Sequence, residues 1–335
     1  MRKKFLFAYP SSPAARAASR QGKNWFFEVS TESPTLTWGV LIEKEIYSGK
    51  SKYQKIEIFD TKEFGRILAL DGLVQLSTKY EFVYHQMLTH PAFLYHSNSR
   101  AAAKGAKRTS SSSLPSLLLR KSSVREEDKS SSTSKNILIL GGGDGGVLRE
   151  AVKYPVKEIF LVDMDKKVID ISKKYLSSVS GGAFQDKRLK IFNENALRFV
   201  KNYKNYFDII INDLTDPNGH SLALWQARFY KDILGALKEN GVAAFQTALL
   251  KEKFAKRTRK KLKQIFPFLK IHKAFVGCFP FNEHTFSFGS KKIDFDKISF
   301  KKIKERYKKF NLQALGYYSP EIHFSSAALP KDERS

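Results

Sequence analysis

At 335 residues the chain is long enough for one large domain or two moderate ones, each with an ample core. Its 59 lysines and arginines outweigh 33 acidic residues for a net charge of +26, which suggests nucleic acid or an anionic surface, but no aromatic-interleaved basic stripe or nucleic-acid motif accompanies it, so nucleic acid is set aside as a partner. The lone Cys278 excludes an intrachain disulfide and a cysteine-based zinc site, and no apolar run approaches the ~20 residues of a membrane span, so no membrane partner is expected.

Residues 1–24 are basic, rich in Ser and Ala and free of acids, a composition shared by disordered leaders and organellar transit peptides. The single cysteine fits a reducing, cytoplasmic setting, with an organelle as the alternative if the leader is a targeting signal. Over residues 25–96 the pattern changes to short alternating segments. Trp38–Ile46 and Ser51–Asp60 read as strands, followed by Phe64–Leu70, the turn Asp71-Gly72, and Leu73–Ser77. This predicts a small antiparallel β-domain, followed by a helix over Glu81–Tyr95. Residues 97–135, with Ser-rich tracts, Gly105 and Pro115, lack periodicity and read as a disordered insertion.

Residues 136–330 form the second domain. Ile137–Leu140 is too short and too β-branched for a helix and reads as a buried parallel strand. Gly141, Gly142, Gly143, Gly145 and Gly146 then allow a tight turn and close approach to a ligand, before a helix from Val147 to about Tyr154. This strand–turn–helix opens a nucleotide- or nucleoside-binding βαβ fold. Asp144 inside the turn repels pyrophosphate and suits a cationic nucleoside, such as S-adenosylmethionine and its relatives; the alternative is a simple helix cap. Further strands are expected at Glu158–Val162, Leu189–Phe192, Phe207–Asn212, Gly241–Gln246 and Thr285–Gly289, and helices at Lys166–Tyr175 and Trp225–Leu237. The basic run Lys251–Lys263 reads as an amphipathic helix with a solvated face. Asp163, Asn195, Asp213 and Asp216 follow the carboxyl ends of strands, where open parallel sheets bind ligands.

Asp213 and Asp216 lie just past an apolar strand and ahead of Pro217. Carboxylates so placed either cap a turn or bind an ammonium and take up its proton. Beside Asp144 the second reading fits an amine nucleophile attacking a carbon bonded to a sulfonium sulfur, with in-line orientation supplying much of the rate.

The motifs Tyr47-Ser-Gly-Lys-Ser-Lys-Tyr-Gln54, Leu70-Asp-Gly-Leu-Val-Gln75, Tyr84-His85, Gly141–Glu150 and Asp213-Leu-Thr-Asp-Pro217 resemble those of the spermidine synthase family, the polyamine aminopropyltransferases. The resemblance spans about residues 25–96 and 135–330. It implies an α/β fold: a Rossmann-like, class I methyltransferase-type, mostly parallel sheet with a small N-terminal antiparallel β-domain. It also implies aminopropyl transfer from decarboxylated S-adenosylmethionine, a co-substrate, to putrescine, without metal or redox cofactor, in a homodimer or homotetramer. By position, Asp213 is the implied base. Gln54, Gln75, Asp144, Asp163 and Asn195 would hold the donor, while Tyr84, His85 and Asp216 would place the acceptor amine. The sequence departs from the family pattern at Tyr80 and Gln86, where acids are usual, and at Phe279, where a tyrosine is usual. These departures place the altered half of the site on the acceptor side. They leave open another polyamine or agmatine as acceptor, a methyltransferase on the same fold, and a non-catalytic nucleoside-binding homologue.

Overall fold

The computed structural model describes residues 24–30, 35–96, 135–216 and 219–333. The basic leader and the insertion expected at 97–135 lie outside these residues, save for Asn24 and Lys135. Among the described residues the strands form three sheets. The first is a hairpin of β1 (Trp25–Val29) and β2 (Thr37–Leu41). The second is antiparallel, in the order β3 (Lys44–Lys50), β4 (Lys55–Thr61), β5 (Gly65–Leu70), β6 (Leu73–Ser77).

The single strand expected over Trp38–Ile46 is therefore two strands in different sheets. The N–H of Ile42 bonds to the Asn24 carbonyl, while the next N–H, from Glu43, bonds to Asp60. Side-chain alternation runs through such a crossover unbroken and cannot reveal it. Nor does β4 begin at Ser51: Ser51–Gln54 is a turn in which the Ser51 hydroxyl oxygen accepts the N–H groups of Tyr53 and Gln54 at 3.0 and 3.1 Å.

The third sheet runs β12 (Phe268–Ala274), β13 (His284–Ser290), β11 (Leu237–Leu249), β10 (Phe207–Asp213), β7 (Asn136–Gly141), β8 (Glu158–Val162), β9 (Leu189–Phe192). The strands from β11 to β9 in that order are parallel; β13 is antiparallel to β11 and β12 to β13. The unbroken apolar run of β7 follows from burial on both faces. Ile137 and Ile139 join one core and Leu138 and Leu140 the other. The first core is shared with α1 (Glu81–Tyr95) through Met87, Leu88 and Phe93, and with α2 (Gly146–Ala151). The second is capped by Phe229, Tyr230 and Ile233 of α4 (Ala227–Ala236) and Leu262 of α5 (Lys253–Ile265); α3 (Lys166–Tyr175) follows β8.

Several boundaries differ from expectation. The helix after the glycine turn stops at Ala151, and the one expected from Trp225 begins at Ala227, with Leu237 already in β11. Strand β12, hairpin strand β1, and helices α6 (Phe300–Lys309) and α7 (Pro320–Ser325) were not anticipated. Within α5 the basic face is exposed as expected, but Arg259 turns inward and donates to Glu333 at 2.9 Å. No helix among the described residues is long and apolar enough to cross a membrane.

Candidate active site

A cavity of about 650 Å³ opens between the small antiparallel sheet, α1 and the carboxyl ends of the parallel strands. The glycine turn forms part of its floor. Gly141 has φ of 80°, and a Cβ there would lie 2.3 Å from the Asp213 carbonyl oxygen, so no other residue lets β7 turn this close to β10. At Gly146 a Cβ would meet the His85 ring at 2.1 Å, which is how α1 and α2 come close enough to share the site.

Every site residue named from the sequence lines this cavity. Among the residues that the resemblance assigns to the base and the acceptor, the Tyr84 hydroxyl donates to Oδ1 of Asp213 at 2.7 Å. Asp216 accepts from Nε2 of Gln246 at 3.1 Å. Among those that the resemblance assigns to the donor, Nε2 of Gln54 donates to Asp165 at 3.0 Å, and that of Gln75 donates to the Leu73 carbonyl at 3.0 Å. Asp163 accepts the Asp165 N–H at 2.9 Å, and Asn195 engages its side-chain oxygen with the Leu197 N–H at 2.8 Å.

The electrostatics separate the two central carboxylates. Loss of solvation opposes ionisation of Asp144, but the charge of His85 and the N–H of Gly146 outweigh it and hold this carboxyl below the ordinary range. Asp213 is raised to about 7, first by loss of solvation and then by the Asp144 charge, against the opposing pull of His85 and the Tyr84 bond. Two neighbouring acids with environments that push their pKa values apart can serve as a fixed anion that holds a cation beside a group that takes up a proton. Loss of solvation also raises Asp163, to about 6, and Asp216.

His85 is buried between two acids. Its Nδ1 lies 2.6 Å from Glu81 and its Nε2 3.5 Å from Asp144. Burial alone would favour the neutral ring, but Asp144 and Glu81 together raise it to about 10. Glu81 is itself gripped by both terminal nitrogens of Arg149, at 2.6 and 2.9 Å. The chain Arg149–Glu81–His85–Asp144 therefore alternates in sign and ends at the cavity floor. His85, Asp144 and Asp213 each bring one potential metal-ligand atom within 4.8 Å of the others. Both ring nitrogens of His85 are already directed at carboxylates, Nδ1 at Glu81 and Nε2 at Asp144.

Sequence reasoning missed Glu28, Asp165, Gln246 and His284, all on the cavity wall. Gln246 was within reach, since it lies near the carboxyl end of a parallel strand. Asp165 follows Asp163 by two residues and anchors the loop from the other domain through Ser51 at 2.6 Å and Gln54. Glu28, raised to about 7 mainly by burial, carries no local signal.

The acceptor-side departures need correcting. Of Tyr80, Gln86 and Phe279, only Phe279 lines the cavity. Tyr80 packs against Gly277 and Phe64. Gln86 is buried, and its side-chain oxygen accepts the N–H groups of Tyr317 and Tyr318 at 3.1 and 2.9 Å. It is a structural tie to the C-terminal segment.

Residues 126–302 match the spermine/spermidine synthase domain family, and residues 24–78 match the spermidine synthase tetramerisation domain. The chain is 34% identical to a polyamine aminopropyltransferase from Caldicellulosiruptor bescii over 309 residues, covering 91% of this chain and 95% of that protein. A spermidine synthase structure in complex with the transition-state analogue AdoDATO superposes with a TM-score of 0.77 at 32% identity, covering 92% of this chain and 93% of the other. The Thermotoga maritima spermidine synthase gives a TM-score of 0.75 at 32% identity, covering 92% of each chain. The strand-end acids, the acid-bearing glycine turn and these likenesses agree: the chain belongs to the spermine/spermidine synthase family of polyamine aminopropyltransferases.

Proposed function

We propose that the chain transfers the aminopropyl group of decarboxylated S-adenosylmethionine to putrescine, giving spermidine and methylthioadenosine. The observation that carries this reading is the pairing of an ionised Asp144 with an Asp213 raised to about 7, with the Tyr84 hydroxyl on Asp213. Asp144 binds the aminopropyl ammonium of the donor and rejects intact S-adenosylmethionine, whose carboxylate would face it. Asp163 takes the ribose hydroxyls, Asn195 lies at the adenine, and Gln54 and Gln75 flank the donor.

The acceptor enters as an ammonium. Asp213 takes one proton from it, and the freed nitrogen lone pair attacks the methylene carbon bonded to sulfur. The new C–N bond forms as the C–S bond breaks, and its electron pair stays on sulfur as the neutral thioether of methylthioadenosine. The product leaves as an ammonium, and the proton on Asp213 returns to solvent. A pKa near neutrality suits a group that must both accept and release that proton. Tyr84 and Asp216 place the amine, and His85 supports Asp144. No cofactor beyond the co-substrate enters this scheme.

Phe279 on the acceptor wall favours a second reading: the same chemistry on another polyamine or on agmatine. The match of residues 24–78 to a tetramerisation domain supports a homo-oligomer, a dimer or tetramer. The test is methylthioadenosine release from decarboxylated S-adenosylmethionine with putrescine, spermidine, cadaverine and agmatine in parallel. Release with putrescine establishes the first reading and release with another amine the second. Tight donor binding without release would leave a nucleoside-binding homologue.

A further inference from the structure

His284 opens β13 on the acceptor wall of the cavity. Only 6% of it is exposed, and among the described residues neither ring nitrogen has a hydrogen-bond partner. A buried polar group left without a partner costs free energy, and native structures rarely keep one unless something arrives to meet it. The neighbours explain why none of the described residues does so. The His284 ring packs edge-on to Tyr84 at 5.1 Å, against Phe279 at 5.4 Å and against Phe286 at 5.1 Å. Burial drives its pKa down to about 3, so the ring is neutral and offers one lone pair and one N–H. Phe279 and Phe281, which share this wall, offer neither.

We propose that His284 is an acceptor-specificity residue, whose imidazole lone pair accepts a hydrogen bond from an N–H of the incoming amine. It thereby supplies on this wall the polar contact that Phe279 lacks. Through the Tyr84 ring it sits one side chain from Asp213, so it holds the amine where Asp213 removes the proton. A charged second site in its place would compete with Asp213 for that proton; a neutral lone pair orients the nitrogen without doing so.

The inference rests on the amine-transfer reading, and two parallel assays separate them. Steady-state methylthioadenosine release gives KM for the amine and for the donor. Calorimetry of the amine into enzyme saturated with methylthioadenosine gives binding without turnover. His284→Phe keeps the ring and removes both nitrogens; His284→Gln keeps a hydrogen-bond acceptor. The expected result is a roughly tenfold rise in amine KM and Kd for His284→Phe, with the donor KM within about twofold of wild type and His284→Gln recovering most of the loss. Unchanged amine KM and Kd in His284→Phe would overturn the inference while leaving the transferase reading in place. Equal weakening of donor and amine would also overturn it, since that marks a structural role. If wild type turns over no amine yet binds one in a His284-dependent manner, the transferase reading fails and His284 is an amine contact without the acceptor role, which overturns the inference as stated. No amine binding to wild type would sink both.

Discussion

The Tyr84 hydroxyl and Oδ1 of Asp213 lie 2.7 Å apart across 129 residues of sequence, joining α1 to the end of β10 at the cavity floor. Desolvation and the charge of Asp213 push Tyr84 well above its ordinary range, so the phenol keeps its proton and always donates. That bond lowers the affinity of Asp213 for a proton, against the burial and the Asp144 charge that raise it to about 7.

Removing the donor should therefore be visible as a pH shift. The proposed base is active when ionised, so kcat rises with pH through about 7. In Tyr84→Phe the opposing pull is gone, Asp213 binds its proton more tightly, and the acid limb of the kcat profile moves to higher pH. Asp213→Asn should lose roughly 10²- to 10⁴-fold in kcat, with methylthioadenosine binding retained. A Tyr84→Phe profile superimposed on wild type would contradict the coupling.

Asp144→Asn acts on both substrates. It removes the partner proposed for the donor ammonium, and the donor KM should rise roughly 10- to 100-fold. It also removes the like charge that raises Asp213, so the acid limb should move to lower pH, opposite to Tyr84→Phe. Competition by intact S-adenosylmethionine should strengthen in the same variant. Inhibition constants for the two nucleosides, measured side by side, check this.

Asp165 carries three ties at once. It accepts from Ser51 at 2.6 Å, from Gln54 at 3.0 Å and from the Lys167 N–H at 3.1 Å, where it caps α3. Asp165→Ala should lose about 1–2 kcal/mol of stability from the cap alone. Because the first two ties hold Gln54 in place, the donor KM should rise while the amine KM does not. Urea unfolding and the two KM values decide this together.

Acid stability should report a buried histidine pair far from the cavity. His272 lies 2.8 Å from both the Tyr95 hydroxyl and the Ser326 hydroxyl, and His323 lies 2.5 Å from the Tyr318 hydroxyl. Burial lowers both pKa values, His323 to about 3 and His272 well below the ordinary 6.5. Below about pH 6.5 the unfolded chain takes up protons that the folded chain refuses, so stability falls as pH drops towards 3. The slope approaches ~1.4 kcal/mol per pH unit for each such histidine. His272→Gln should flatten the dependence between pH 6.5 and 5 by about one histidine's share, read from urea midpoints.

Much of this protein was legible in its sequence because the signals are local. Ile137–Leu140 announces a doubly buried strand, and the glycines after it announce a close backbone approach, since each property depends on a few adjacent residues. Asp144, Asp163, Asn195, Asp213 and Asp216 could be placed on one edge because a parallel sheet puts every strand's carboxyl end there. Alternation failed at Ile42 and Glu43, where consecutive residues bond to different sheets without changing the pattern.

What only the tertiary structure decided is where distant side chains meet and how much water they keep. Gln86 looked like a change in the acceptor site and is a buried tie to Tyr317 and Tyr318. His284 carried no motif, and its meaning lies in two buried ring nitrogens that none of the described residues bonds. The separation of Asp144 from Asp213 is of the same kind. The two residues share a chemistry in the sequence, and their proton affinities part because the His85 charge and the Gly146 N–H outweigh desolvation at Asp144, whereas at Asp213 desolvation and the Asp144 charge outweigh the pull of His85 and Tyr84.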